Sequence, residues 1–133
     1  MIEFHLEKRT GVAPYMQLVQ QVQQALRLGL LQPGDQLPTV REVVTQIAIN
    51  PNTVFKAYRE LEHEGLVESR PGLGTFVLKN LATSSPAEQE ALREELVRWL
   101  HKAFEAGLDT ESISALFSNT LHHVQKEEAT HTT

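Results

Sequence analysis

The chain has 133 residues, no cysteine and a formal net charge of −5 at pH 7. That length suits one domain with an appendage, and the missing cysteines exclude disulfides, thiolate nucleophiles and cysteine-ligated zinc while fitting a reducing compartment. The acidic total argues against a nucleic-acid partner only until it is divided: residues 1–80 carry 8 Lys/Arg against 8 Asp/Glu, residues 81–133 carry 4 against 9, and the whole imbalance lies in the tail. The opening "MIEFHLEKRTG" holds no signal-peptide core, and no window approaches the roughly 20 apolar residues of a membrane span. The expectation is an unprocessed cytoplasmic protein without a membrane partner.

In chain order, Ile2, Phe4 and Leu6 alternate with polar residues and predict a short strand. From Tyr15 the period becomes helical, with Leu18, Val22, Ala25, Leu26 and Gly29 on one stripe. Gln17, Gln20, Gln21, Gln23 and Gln24 fall largely opposite, and the helix is expected to end near Leu30. "QPGDQLP" reads as a turn. Thr39 with Glu42 then forms a capping box for a short helix whose apolar face is Val43, Val44, Ile47 and Ala48. Asn50 and Pro51 restart the chain as cap and first helical residue. The third helix carries Val54, Ala57, Tyr58 and Leu61 as its stripe and closes at Gly65. Residues 66–70 and 75–78 are β-prone around "PGLG" and predict a hairpin.

After the polar joint "NLATSS", Ser85, Pro86 and Glu88 signal a fourth helix running to about Ala106, with Leu92, Leu96, Trp99, Leu100, Ala103, Phe104 and Leu108 as its stripe. Gly107 ends it. A fifth helix starts near Asp109 or Thr110 and carries Ile113, Leu116, Phe117, Leu121 and Val124, and "KEEATHTT" reads as a frayed end.

Two short helices joined by a tight turn have the outline of a helix-turn-helix, whose second helix enters the DNA major groove. If Val54, Ala57, Tyr58 and Leu61 face the core, then Asn52, Phe55, Lys56 and Arg59 gather on the other side. Asparagine can pair with adenine, arginine with guanine or phosphate, and an apolar ring can touch a thymine methyl. An ordinary solvated helix face would have the same cations, but Phe55 off the apolar stripe requires a contact or a ligand. In the hairpin, Gly72 and Gly74 let backbone approach a sugar–phosphate edge beside Arg70. Acids concentrate at Glu60, Glu62, Glu64 and Glu68, leaving Arg41, Lys56, Arg59 and Arg70 free to share another face. The fold expected is mainly α with a small β component: a winged helix-turn-helix over residues 1–80 and a two-helix segment over 81–133.

The run "PGDQLPTVREVV" followed by "NPNTVFKAYRELEHEGLVESRPGLGTFV" resembles the GntR family of bacterial transcription regulators across nearly all of residues 1–78. The resemblance implies a DNA-contacting arginine at Arg41, a helix-three cap at Asn50 and a wing-tip glycine at Gly72. Pro51 stands where many members have arginine, which shifts base reading to Arg41, Asn52, Lys56 and Arg59. Thr39, Thr53, Phe55 and Arg70 complete the expected DNA-binding set. "NPNTV" with a short tail is similar to the YtrA-type subfamily, whose members often sit beside ABC-transporter genes.

The tail is too short for the large effector or aminotransferase-like domain of other members. Two helices with broad apolar stripes are economically buried by a second copy, so Leu92, Leu96, Trp99, Leu100, Phe104, Ile113, Leu116, Phe117 and Leu121 are expected to dimerise. A two-fold protein would match a palindromic operator. The function expected is a transcriptional regulator, a repressor, on double-stranded DNA; the alternative is a winged helix that binds RNA or a protein. Catalysis is not expected, because "GLGTF" lacks the lysine of a phosphate-binding loop and the third glycine of a dinucleotide fingerprint. The histidines, His5, His63, His101, His122, His123 and His131, show no HExxH-like spacing, so neither metal nor cofactor is expected. The residues specify no small-molecule effector.

Overall fold

Local signals in the sequence account for most element boundaries in the computed structural model, which describes residues 2–8 and 10–131. The order is α1 (Pro14–Arg27), α2 (Val40–Ile47), α3 (Pro51–His63), β1 (Val67–Arg70), β2 (Gly74–Val77), α4 (Pro86–Glu105) and α5 (Thr110–His131). The chain divides into two units between Pro86 and Ala87.

In the first unit, the capping box of α2 is complete. The Glu42 amide donates to Thr39 Oγ1 at 3.1 Å, and Glu42 Oε1 accepts from the Thr39 amide at 3.4 Å. Asn50 caps α3 by accepting from the Asn52 amide at 2.8 Å, ahead of Pro51. Val54, Ala57, Tyr58 and Leu61 are buried as their spacing predicts, within a core that includes Leu18, Val22 and Leu26 of α1, Val43 of α2, and Val67 and Val77 of the hairpin. Gly65, at φ 78°, closes α3: its amide reaches the Glu62 carbonyl and the Leu66 amide reaches that of Leu61. The chain therefore leaves α3 directly into β1. The hairpin is antiparallel, with Val67 opposite Val77 and Arg70 opposite Gly74.

Several expectations are corrected. Residues 2–6 alternate as predicted, with Phe4 buried, but form no strand, because among the described residues no strand lies beside them. Side-chain amides take that role instead: Gln21 bonds the amide and carbonyl of His5 at 3.1 and 2.7 Å, and Gln17 those of Glu7 at 2.8 and 2.9 Å. Gln17 is accordingly buried rather than on the solvent side. Helix α1 ends at Arg27, short of Leu30, because Gly29 adopts φ 72° and leaves the helical stripe. Ala48 is an exposed left-handed cap at φ 34°, and Ile49 is buried instead. The "QPGDQLP" turn also serves as sheet edge: the Leu37 amide donates to the Thr75 carbonyl and that of Gly34 to Val77, both at 2.8 Å, with Gln36 bridged to Phe76.

In the second unit, Asp109 caps α5 through the Ser112 amide at 2.8 Å. Hydrogen bonds from Ser112, side chain first and amide second, hold its carboxyl below the ordinary value. Ala103 and Ile113 are buried and Leu100 is half-buried, but Leu92, Leu96, Trp99, Phe104, Leu116, Phe117, Leu121 and Val124 remain exposed. Leu96, Trp99, Leu116, Phe117, Leu121 and Val124 line an open apolar depression of about 470 Å³ along α4 and α5. Ile113, expected on the dimerisation stripe, is already buried in the single chain. The expected frayed end is helical through His131; Thr132 and Thr133 lie outside the described residues. No described helix is long and apolar enough to cross a membrane.

Candidate nucleic-acid interface

Burying Val54, Ala57, Tyr58 and Leu61 turns Asn52, Phe55, Lys56 and Arg59 outward, and all four are exposed, with Thr53 half-buried. Beside this face, the N-terminus of α2, the outer side of α3 and the hairpin enclose a groove of about 480 Å³. Thr39, Phe55, Arg59, Glu62, Arg70 and Gly72 line it.

Its geometry is fixed from beneath by Tyr58, whose hydroxyl donates to the Pro38 carbonyl at 2.6 Å and ties α3 to the entry of α2. Burial, and secondarily the Glu42 carboxylate, push the phenol above its ordinary pKa of 10.0. The fold favours the neutral phenol, so this contribution to stability is fully present below pH 10 and is lost as the pH climbs above it. Replacing Tyr58 by Phe should cost about 1–3 kcal/mol at neutral pH, the range for an orphaned buried acceptor, and should remove that part of the alkaline destabilisation. Urea denaturation at neutral and alkaline pH measures both.

Phe55 is 51% exposed, with its ring in the groove rather than in the core. Phe55→Ala should therefore leave the melting temperature nearly unchanged, whereas a buried phenylalanine would lose about 3–5 kcal/mol. Differential scanning calorimetry separates the two outcomes.

Not every expected DNA-binding residue reaches the groove. Arg41 lines a separate shallow surface with Glu42, Thr45 and Gln46 on α2. Lys56 is exposed, but its Nζ rests 4.0 Å from the centroid of the Tyr15 ring of α1. The Asn50 side-chain oxygen is engaged in capping, and Asn52 lies on the exposed first turn of α3. Arg70 is in the groove, its guanidinium 4.5 Å from the Phe76 ring centroid and 3.4 Å from the Glu68 carboxylate.

The separation of acids from bases proposed above fails at Glu62. Its carboxylate shares the groove with Arg59 and Arg70, and it accepts from the Ser69 amide at 2.6 Å. The three-residue spacing from Arg59 was the signal, since positions three apart are neighbours on a helix.

This arrangement of helices and hairpin coincides with a known family. The description "Bacterial regulatory proteins, gntR family" fits residues 14–77, from α1 through β2. The HTH-type transcriptional repressor YtrA of Bacillus subtilis (strain 168) is 38% identical over 109 residues, 81% of this chain and 84% of that protein. The chain belongs to the gntR family of bacterial regulatory proteins. Such gntR proteins are transcriptional regulators, not enzymes. Among solved structures, a transcriptional antiterminator from Listeria monocytogenes EGD-e is similar with a TM-score of 0.57, 30% identity and 90% of both chains covered. AraR(DBD), solved in complex with operator ORX1, is similar with a TM-score of 0.51 and 26% identity over 57% of this chain and 95% of that one. The gntR segment thus contains the groove, the outward face of α3 and the hairpin, which is the wing of a winged helix.

Proposed function

We propose that this protein is a transcriptional repressor that binds a palindromic operator as a homodimer. The outward face of α3, continuous with a groove bearing Arg59, Phe55 and Arg70, carries the reading. An arginine fork, an aromatic ring and a close-approaching wing are the chemistry that base edges and phosphates require. The operator complex of AraR(DBD) and the repressor role in the name of YtrA support it. Exposed leucines and aromatics along α4 and α5 support the dimer, since a contiguous apolar surface in water marks an interaction site. The resemblance to YtrA-type regulators makes the promoter of an ABC-transporter operon the first target to examine.

Footprinting on the promoter of the protein's own operon, followed by fluorescence anisotropy, tests the proposal. The expected result is a protected two-fold symmetric site bound far more tightly than a scrambled duplex. Equal binding to both duplexes, or preference for an RNA of the same sequence, would overturn it.

A further inference from the structure

The wing consists of two four-residue strands, and so short a hairpin is marginal by itself. Two side chains reach it from different parts of the fold. Glu62, in the last turn of α3, accepts from the Ser69 amide of β1 at 2.6 Å. Gln36, on the sheet-edge segment before α2, donates from Nε2 to the Leu73 carbonyl at the wing tip at 3.0 Å. The second contact depends on a glycine. Gly74 sits at φ 128°, and a Cβ there would collide with the Gln36 side-chain amide.

The chemical character of Glu62 makes this arrangement informative. A carboxylate lining the same groove as Arg59 and Arg70 opposes the counterion release that drives phosphate binding, so it weakens attachment to any duplex. What it supplies is geometry. We propose that Glu62 and Gln36 are positioning residues that latch the wing at a fixed angle to α3, giving up non-specific affinity so that wing and helix meet a duplex in one register. The proposal rests on the DNA-binding reading above and extends it to discrimination between sites.

The test uses the full chain carrying Glu62→Gln, Glu62→Ala or Gln36→Ala, with the footprinted operator and a scrambled duplex as probes. Glu62→Gln keeps an acceptor for the Ser69 amide but removes the charge, so affinity for both duplexes should rise alike and the operator-to-scrambled ratio should hold. Glu62→Ala removes both, and operator affinity should fall about tenfold, the size of one lost charge-assisted hydrogen bond, without a matching fall on the scrambled duplex. Gln36→Ala should narrow the operator-to-scrambled ratio in the same direction. Amide hydrogen exchange on the free protein supplies a readout that needs no DNA: the Ser69 amide should exchange faster in Glu62→Ala and at the wild-type rate in Glu62→Gln. Unchanged exchange at Ser69 in Glu62→Ala, an unchanged ratio in that variant, or loss of the ratio in Glu62→Gln would overturn the latch. If the unmodified protein does not distinguish the two duplexes, the DNA reading fails, and Ser69 exchange still decides whether the latch exists.

Discussion

A full-length chain carrying Leu96→Glu or Phe117→Glu is expected to be monomeric and to bind a two-half-site operator about 10²–10⁴-fold more weakly, the range lost when a linked second binding event is removed. Leu96 and Phe117 are 42% and 48% exposed, come from different helices, and line the same apolar depression. A carboxylate on either would be buried without a partner if a second copy covered that surface. In the monomer it would remain in water, so the helical circular dichroism of the chain should not change. A chain ending at Asn80 supplies a second arm, because the core of the first unit, from Phe4 to Val77, includes none of α4 or α5. It should fold, stay monomeric and retain contact with a single half-site. Light scattering and operator titrations measure each step. Dimeric glutamate variants with undiminished operator binding would assign the apolar surface another role.

The elements that read correctly from the sequence are those whose determinants lie within a few residues. Thr39 with Glu42 and Asn50 with Pro51 each set a helix start through bonds spanning two or three positions. The stripe of Val54, Ala57, Tyr58 and Leu61 fixed the phase of α3, and with it the exposure of Phe55. What escaped depends on distant partners. The strand predicted at Ile2–Leu6 fails because the backbone of His5 within it, and of Glu7 just after it, is bonded by glutamines 16 and 10 positions away, which helical periodicity assigns to solvent. The sheet-edge role of residues 34–37 was hidden because Pro33, Gly34 and Asp35 are turn formers and the pairing amounts to one bridge.

The candidate site follows the same division. Arg59, Phe55 and Arg70 were found from the period of one helix and the glycines of one hairpin, and the structure brings them into one groove. The charge pattern groups Glu62 with the other acids, because its role depends on the tight turn at Gly65, which folds β1 back beside α3. Lys56 shares the outward face with Arg59 as its spacing predicts, and α1, which packs against α3, also brings the Tyr15 ring beside its ammonium group.

Arg41→Ala and Arg59→Ala are each expected to cost about 1–3 kcal/mol of specific operator binding. The arginines occupy separate surface features, Arg41 on the shoulder of α2 and Arg59 in the groove, so the losses in the double variant should add. Both are exposed, so the melting temperature should move little. The two substitutions also differ in kind. If Arg59 reads a base edge, its removal should relax preference at one operator position and leave scrambled-duplex binding nearly intact. An arginine that meets only phosphate should instead weaken both duplexes alike and lower the slope of log affinity against log salt by about one. Anisotropy titrations over a salt series, with single-position operator variants, assign each arginine to one of these roles. Undiminished affinity in the double variant would exclude this face from the operator contact, because no arrangement that uses α3 and the α2 shoulder together could lose both cations without consequence.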